Sequence, residues 1–342
     1  MPKKYIHHIR TISLYLLVLT SLFAGCERVI EFDIDSESQL VLNAVPSSQR
    51  QLFVNFGYSR FFLEDIYPAV PGADLVVSVN GTEYRPDSVS GNNYFFNYIL
   101  QDDDSVAVRV RAGDHTVTAH THVPRMPRVS PPLAFIDSSG VFNLLTINFN
   151  IDDYPGYPEY YCLSVTQRDS GLRYRPYYDR FDTIDTTYNT LFCSLDKSLN
   201  TPEVDANEAL GGYFYTQLLA NDKAIDGTNH NTTILIILLK DTNEVEPFIH
   251  QYTLNVESVT PDRFRYLKEL ANATSMMQLF TEPAPVHSNV IGALGIFAGN
   301  ARYSAPLAIT SPPPTPLKPD ERDRLERPIS PEVLKKLATR KR

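Results

Sequence analysis

Residues 74–81 read Asp-Leu-Val-Val-Ser-Val-Asn-Gly, and this stretch decides the fold class. The run 74–80 has the composition and the mostly two-residue period of a β-strand. Asn80-Gly81 is a strong signal for a type I′ hairpin, because both turn positions need a positive φ angle. Gly113-Asp114 is predicted to join two later strands in the same manner.

Five more strand-like runs lie around this hairpin, at 39–45, 51–56, 94–100, 105–111 and 115–122. Strands of this length at this spacing are typical of a two-sheet sandwich. We therefore predict a mainly β protein whose first domain, residues 38–123, is an immunoglobulin-like or transthyretin-like β-sandwich.

Residues 124–132 contain four prolines and interrupt the strand pattern. Proline gives a sheet no N–H donor, so this segment is predicted to be a semi-rigid linker. Residues 133–310 are predicted to form a second β-rich domain. Its strand candidates are 141–150, 160–166, 190–195, 213–219, 232–239 and 251–257.

The second domain also has one predicted helix and two predicted loops. The helix is expected to begin at Thr260-Pro261, because an N-cap residue is followed there by proline. Residues 168–187 and 196–212 are polar and long, and they are predicted to be loops.

The N-terminus predicts export and a lipid anchor. Residues 1–25 combine a basic start with a short apolar run, the pattern of a signal peptide. Gly25 directly precedes Cys26, which resembles the bacterial lipobox, where the signal is cleaved and the cysteine is acylated. Phe23 stands where leucine is usual, and an ordinary signal peptide with a coincidental cysteine is the alternative. We expect lipidation of Cys26, which would hold the mature protein on a membrane.

Two further segments are predicted to lie outside the folded domains. Residues 26–37 alternate acidic and apolar side chains and are expected to form a tether, with a surface-export signal or an edge strand as its role. Residues 311–342 are proline-rich, carry 9 basic and 5 acidic residues, and are expected to be a disordered tail.

Composition and motifs argue against several functions. The 342 residues carry a net charge of −9, which disfavours a nucleic-acid-binding protein. The sequence has no glycine-rich phosphate loop, Gly-x-Ser-x-Gly elbow or His-Glu-x-x-His motif, so no enzyme activity and no cofactor are predicted. His120 and His122 share a strand face but have no evident third ligand, so no metal site is predicted.

Cys162 and Cys193 remain once Cys26 is assigned to the anchor. Outside the cytoplasm two strand cysteines can form a disulfide if their Cα atoms lie within about 7 Å. Burial as free thiols is the alternative that the sequence leaves open.

Two loop-like segments are rich in tyrosine, arginine and proline. Tyr154 and Tyr157 lie in the first, and Tyr174, Tyr177 and Tyr178 lie in the second. Exposed tyrosine and arginine are typical of protein interfaces, and tyrosine also stacks on sugar rings. These residues are therefore candidate binding residues, with packing over the sheet ends as the alternative.

Several short motifs occur in a characteristic order along the chain. They are Glu-x-x-Ile-x-Phe-Asp-Ile-Asp after Cys26, Leu40-Val-Leu-Asn43, Val70-Pro-Gly-Ala-Asp-Leu-Val-Val-Ser-Val79, Asp226-Gly, Tyr266-Leu-Lys-Glu-Leu270 and Pro285-Val-His-Ser-Asn-Val-Ile-Gly-Ala-Leu-Gly-Ile-Phe297. Over about residues 26–305 the chain resembles a family of Bacteroidota outer-membrane lipoproteins, domain-of-unknown-function family 4249.

The resemblance implies a protein anchored in the outer membrane by palmitate or a similar acyl chain, exposed at the cell surface, with no catalytic residues. It also implies a neighbouring TonB-dependent transporter as partner. We therefore predict a non-enzymatic accessory or binding protein of such a transporter. A glycan-binding surface lipoprotein is the alternative, and a surface hydrolase is a third and weaker one.

Overall fold

The computed structural model describes residues 38–59, 68–138, 143–194, 196, 198–199, 214–238, 244–273 and 286–310. The predicted signal peptide, tether and tail lie outside these residues, as does Cys26. Most of the predicted loop 196–212 also lies outside them.

The described residues are mainly β-strand with one α-helix, as the sequence predicts. The strands of the first half are β1 (Leu40–Ala44), β2 (Gln51–Tyr58), β3 (Asp74–Val79), β4 (Thr82–Tyr84), β5 (Ser88–Ser90), β6 (Asn93–Ile99), β7 (Ser105–Ala112), β8 (His115–His122), β9 (Arg128–Val129) and β10 (Leu133–Asp137). Those of the second half are β11 (Asn143–Asp152), β12 (Tyr160–Arg175), β13 (Arg180–Asn189), β14 (Phe192–Ser194), β15 (Phe214–Tyr215), β16 (Leu218–Asn221), β17 (Asn229–Leu238), β18 (Glu244–Val259), β19 (Leu294–Phe297), β20 (Asn300–Pro306) and β21 (Ile309–Thr310). The helix is α1 (Pro261–Ala273).

Two sheets form the first sandwich. One has the strand order β19-β1-β2-β6-β5 and the other β4-β3-β7-β8. Their facing side chains make one hydrophobic core, with Leu42, Phe56 and Phe96 from the first sheet and Val77 and Val108 from the second. Alternate residues of the longer strands, such as β2 and β7, enter this core, which is the origin of the two-residue period in the sequence.

The turn predicted at Asn80-Gly81 is confirmed. Both residues have positive φ angles, 52° and 84°, and they join β3 to β4. The turn between β7 and β8 differs, because Gly113 has a positive φ of 58° and Asp114 is not among the residues with positive φ.

The second sandwich is built in the same way. One sheet has the order β15-β14-β17-β11-β10-β21, with β9 paired to β11, and the other has the order β13-β12-β18-β20, with β16 paired to β12. Ile147, Phe149 and Ile234 of the first sheet meet Leu163 and Leu254 of the second in a separate core.

Helix α1 begins at Pro261, as predicted, directly after Thr260. Its residue Phe264 packs on Cys162 of β12, Leu219 of β16 and Val259 of β18, outside the core between the two sheets. The helix therefore covers the end of this sheet where β12 begins and β18 ends.

The segment 294–306 joins the two sandwiches. Its first part, β19, pairs in parallel with β1 of the first sandwich, and its second part, β20, pairs with β18 of the second. The first sandwich thus includes a strand from the range 133–310 that we predicted as the second domain. Within the proline-rich linker, Arg128 and Val129 pair with β11, so part of the linker belongs to the second sandwich.

The predicted loop 168–187 is wrong. Ten residue pairs, from Thr166–Asn189 to Arg175–Arg180, join β12 and β13 in a long antiparallel hairpin. Arg168 forms a bidentate ion pair with Asp185 across it, at 2.9 and 3.0 Å. The polar side chains that suggested a loop pair with one another across the two strands.

Candidate functional site

The hairpin of β12 and β13 carries the most exposed aromatic side chains among the described residues. At its tip, Tyr177 is 91% exposed and Tyr178 is 66% exposed, while Phe181 at the start of β13 is 60% exposed. We call Tyr177, Tyr178 and Phe181 the tip aromatics. Large apolar rings at this exposure typically mark an interaction surface.

The tip is held in one shape by local contacts. The backbone N–H of Tyr178 donates to the carbonyl of Arg175 at 3.0 Å, and Asp179 turns the chain with a φ of 47°. The Tyr174 hydroxyl donates to Asp179 Oδ1 at 2.7 Å. Arg175 and Arg180 both reach Asp182, at 3.2 and 2.9 Å. The tip aromatics are therefore presented by an ordered turn.

The rings of the tip lie against one another. Tyr177 and Tyr178 are edge to face with ring centroids 5.0 Å apart, and Tyr174 and Phe181 are 5.2 Å apart. The guanidinium of Arg180 lies 5.4 Å from the centre of the Tyr178 ring. Leu172, two residues before Tyr174, is also exposed, so the apolar surface continues along the strand from the tip.

The opposite face of the hairpin is fixed to β18 by a polar network. Asp169 receives hydrogen bonds from Gln167 at 2.6 Å and Tyr188 at 2.8 Å, and it lies 2.8 Å from His250 Nδ1. Burial would raise the pKa of Asp169, but its contacts with His250, Gln167 and Tyr188 lower the pKa to about 2. Asp169 is thus a stable carboxylate that anchors the hairpin.

This network continues toward the tip. Glu244 lies 3.3 Å from His250 Nε2 and accepts a hydrogen bond from Arg173 at 3.1 Å. Gly171 lies between these groups at an irregularity in the pairing of β12 with β18. A Cβ atom at Gly171 would come 2.7 Å from the ring of Phe248, so only glycine allows this close packing.

Sequence patterning predicted part of this site. Tyr174, Tyr177 and Tyr178 were candidates, and the structure places all three at the tip. Phe181 was missed, although it lies in the same segment, because only tyrosines were taken as candidate binding residues. The signal for β13 was present in 181–188, Phe-Asp-Thr-Ile-Asp-Thr-Thr-Tyr, which is rich in residues that favour strands.

Tyr154 and Tyr157 lie elsewhere. They precede β12, whereas the tip follows it, and 16 residues of extended strand span roughly 50 Å. Arg128 lies 4.0 Å from the centre of the Tyr154 ring, and Arg125 lies 5.5 and 5.3 Å from the centres of Tyr154 and Tyr157. Arginines therefore stack on both rings, and the two tyrosine-rich segments do not form one site.

Next to this loop lies a buried pair of acids. The Tyr161 hydroxyl is 2.6 Å from Asp153 Oδ1 and 2.5 Å from Glu159 Oε2. Glu159 is only 4% exposed, and burial together with Asp153 raises its pKa to about 7. Burial, with Asp153 and Asp226 nearby, also raises the pKa of Asp222. Glu159 and Asp222 are therefore buried acids whose protonated forms are favoured.

Cys162 and Cys193 are both buried free thiols. Their neighbours Tyr161 and Phe192 enter the core between the two sheets, so the cysteines point to the outer faces of two different sheets. Burial raises the pKa of each thiol to about 12. The structure thus has the second of the two alternatives that the sequence left open.

The described residues contain neither a metal-ion cluster nor a membrane-spanning helix. They contain no group of three or more His, Cys, Asp or Glu side chains that could hold a metal ion, and His120 and His122 belong to no such group. Within the same residues, no helix is long and apolar enough to cross a membrane.

Comparisons with known proteins add the family. No curated protein sequence matches the chain. Among solved structures, it is similar to one of the carbohydrate-binding modules from the β-sandwich superfamily, described for their promiscuous specificity, at 10% identity and a TM-score of 0.18. That similarity covers 63% of this chain and 96% of the other, and at this TM-score it carries no argument.

A family model described as Domain of unknown function (DUF4249) matches residues 27–305, nearly the range over which the motifs resemble that family. The chain therefore belongs to the DUF4249 family.

Proposed function

We propose that this protein is a lipid-anchored, non-enzymatic binding protein that docks on a TonB-dependent transporter of the outer membrane through the tip aromatics. The observation that carries the docking proposal is the exposure of Tyr177 and Tyr178 on an ordered hairpin tip. Tyrosine and arginine are enriched among the residues that dominate protein interfaces, and Arg180 lies beside them.

The construction of the hairpin also supports docking. A rigid aromatic anchor loses little conformational entropy on binding, so most of the gain from burying it is kept. The turn contacts of Asp179 and Asp182 and the network around Asp169 supply that rigidity. The anchor proposed at Cys26 would restrict the protein to the membrane plane and raise its effective concentration near a membrane partner.

Co-purification tests this proposal. The tagged full-length chain is extracted from outer membranes, and the proteins that accompany it are identified by mass spectrometry. We expect a TonB-dependent transporter with the natural chain, and a recovery at least about tenfold lower for Tyr177→Ser/Tyr178→Ser, because an interface hot spot contributes about 2 kcal/mol or more.

The matched control is Leu133→Ser, since Leu133 is also exposed but lies on β10 in the other sheet of the second sandwich. Its recovery of transporter is expected to equal that of the natural chain. The absence of any transporter, or equal recovery with the double variant, would contradict the proposal.

A further inference from the structure

In the first sandwich, the sheet that contains β2 and β6 carries amide and aromatic side chains on its outer face. On β2 and β6, even-numbered residues enter the core and odd-numbered residues face outward. The outward residues include Gln51, Phe53 and Asn55 on β2, and Asn93, Phe95 and Asn97 on β6, with Ile99 exposed at the end of β6. The outward face of an antiparallel sheet is normally polar, so the aromatic rings on this face ask for an explanation.

The aromatic pair occupies the middle of this face. Phe53 lies directly opposite Phe95, and their ring centroids are 5.3 Å apart. Phe53 is 40% exposed, so one side of this pair is open to solvent. Neither ring belongs to the core cluster of the sandwich.

An amide pair lies on each side of the two rings. Asn55 donates to Asn93 at 2.8 Å on one side, and Gln51 donates to Asn97 at 2.7 Å on the other. A side-chain amide has two N–H donors and one carbonyl acceptor, so each pair leaves both donor and acceptor capacity unused. About 13 Å of strand separates the two pairs, which is room for a short chain of rings.

A groove adjoins these residues and is lined mainly by β1 and β2, with Ile296 of β19. Its volume is about 500 Å³, within the range of small-molecule sites, and Asn43, Phe53, Asn55 and Tyr58 line it. No Asp, Glu, Lys, Arg or His is among the described residues that line it. A charged ligand would therefore find no counter-ion in this groove.

We propose that this face binds a neutral oligosaccharide. A sugar ring has an apolar face of C–H groups that can lie on Phe53, and hydroxyl groups at its edge that both donate to and accept from amides. A peptide added as an extra strand fits less well, because β2 lies between β1 and β6 and its backbone groups are already paired. The inference does not depend on the tip aromatics, which lie in the second sandwich.

Native affinity electrophoresis of the full chain tests the proposal. The gels contain starch, xylan, mannan or laminarin as neutral probes and polygalacturonate as a charged probe. We expect retardation by at least one neutral polysaccharide and none by polygalacturonate. Phe53→Ala and, separately, Asn55→Ser are expected to weaken the binding at least about tenfold.

Two controls separate this proposal from the docking proposal. Tyr177→Ser/Tyr178→Ser is expected to be retarded like the natural chain, and the far-ultraviolet circular dichroism of each variant checks that it folds. If Phe53→Ala does not fold, Asn55→Ser decides alone, since its side chain is only half buried. The proposal is overturned if no neutral polysaccharide retards the chain, if polygalacturonate retards it equally, or if neither folded variant weakens the binding.

Discussion

Asp153 and Glu159 share a single hydroxyl group inside the protein. The Tyr161 hydroxyl is within 2.6 Å of one oxygen of each acid, yet it has one hydrogen to donate. The second short contact is satisfied when Glu159 is protonated and itself donates to the hydroxyl oxygen. The raised pKa of Glu159 agrees with this count of hydrogens.

The burial of Glu159 beside Asp153 predicts that stability falls as the pH rises from about 4.5 to about 7. The pKa of Glu159 is about 7 in the folded protein against an ordinary value of 4.5, so between these values the folded state holds a proton that the unfolded chain has lost. The loss of stability is complete above the folded value and amounts to roughly 3 kcal/mol. Thermal unfolding measured from pH 4.5 to 8 gives the dependence of stability on pH.

Glu159→Gln is the matched variant for this pH dependence. The glutamine amide keeps its hydrogens at every pH. The stability of the variant should therefore fall much less between pH 4.5 and 7 than that of the natural chain. A natural chain whose stability stays level or increases over this window would contradict the arrangement.

The two buried cysteines predict inert thiols. Because burial raises the pKa of Cys162 and Cys193 to about 12, almost no thiolate exists at pH 8. In a Cys26→Ser variant, iodoacetamide should label neither thiol in the folded state and both in guanidinium chloride without reductant. Rapid labelling of the folded protein would contradict the burial, and the absence of label in guanidinium chloride would reveal a disulfide.

At the scale of single residues, the sequence showed which acids, tyrosines and cysteines are present. It did not show which other residues each of them contacts. The groups around Tyr161 come from distant parts of the chain. Asp153, which contacts the Tyr161 hydroxyl, also accepts a hydrogen bond from the backbone N–H of Gly227, 74 positions away. Local patterns carry no information about such contacts. The same limit left the state of Cys162 and Cys193 open.

At the scale of elements, Gly171 sets the geometry of the hairpin against β18. Its φ is 149°, and a Cβ atom there would meet the ring of Phe248 at 2.7 Å and its Cα atom at 3.1 Å. Gly171→Ala should therefore lower the free energy of unfolding by about 1 to 3 kcal/mol. Thermal or denaturant unfolding measures this change.

Ser170→Ala is the control for this substitution, since it changes the neighbouring residue without a new clash. It should change the free energy of unfolding by less than about 0.5 kcal/mol. Equal effects of the two substitutions would show that the contact between Gly171 and Phe248 is not what the first one disturbs.

The strands of the first sandwich were largely predictable, whereas the hairpin was not. For β7 and β8, alternating apolar residues gave nearly the observed bounds, because each strand buries one face. On β13 most side chains are exposed, so hydrophobic alternation is absent and its polar composition suggested a loop. Pairing with β12, through contacts such as Arg168 with Asp185, decides its structure.

At the scale of the whole molecule, the strand pairing of β19 with β1 joins residues about 250 positions apart. Residues 285–297 were not among the predicted strands, and only the resemblance to the family marked this segment as part of the fold. The sequence did not predict which sandwich the segment joins, because Gly295 and its neighbours form this pairing with distant backbone groups.

The lipid anchor is also a prediction about the whole molecule. Cys26→Ser removes the thiol that would be acylated, so the variant should move from the membrane fraction to the soluble fraction and lose incorporation of labelled palmitate. Cys193→Ala is the control and should remain in the membrane fraction. A Cys26→Ser chain that stays with the membrane would contradict lipid anchoring at this residue.

Photo-crosslinking from the hairpin tip tests the docking proposal most directly. A photoreactive amino acid replaces Tyr178 in the full chain, with the same replacement at Leu133 as the control, and cells are irradiated before the outer membranes are isolated. The proposal predicts an adduct with a TonB-dependent transporter from position 178 and none from position 133. No transporter adduct at position 178, or equal adducts from both positions, would contradict it.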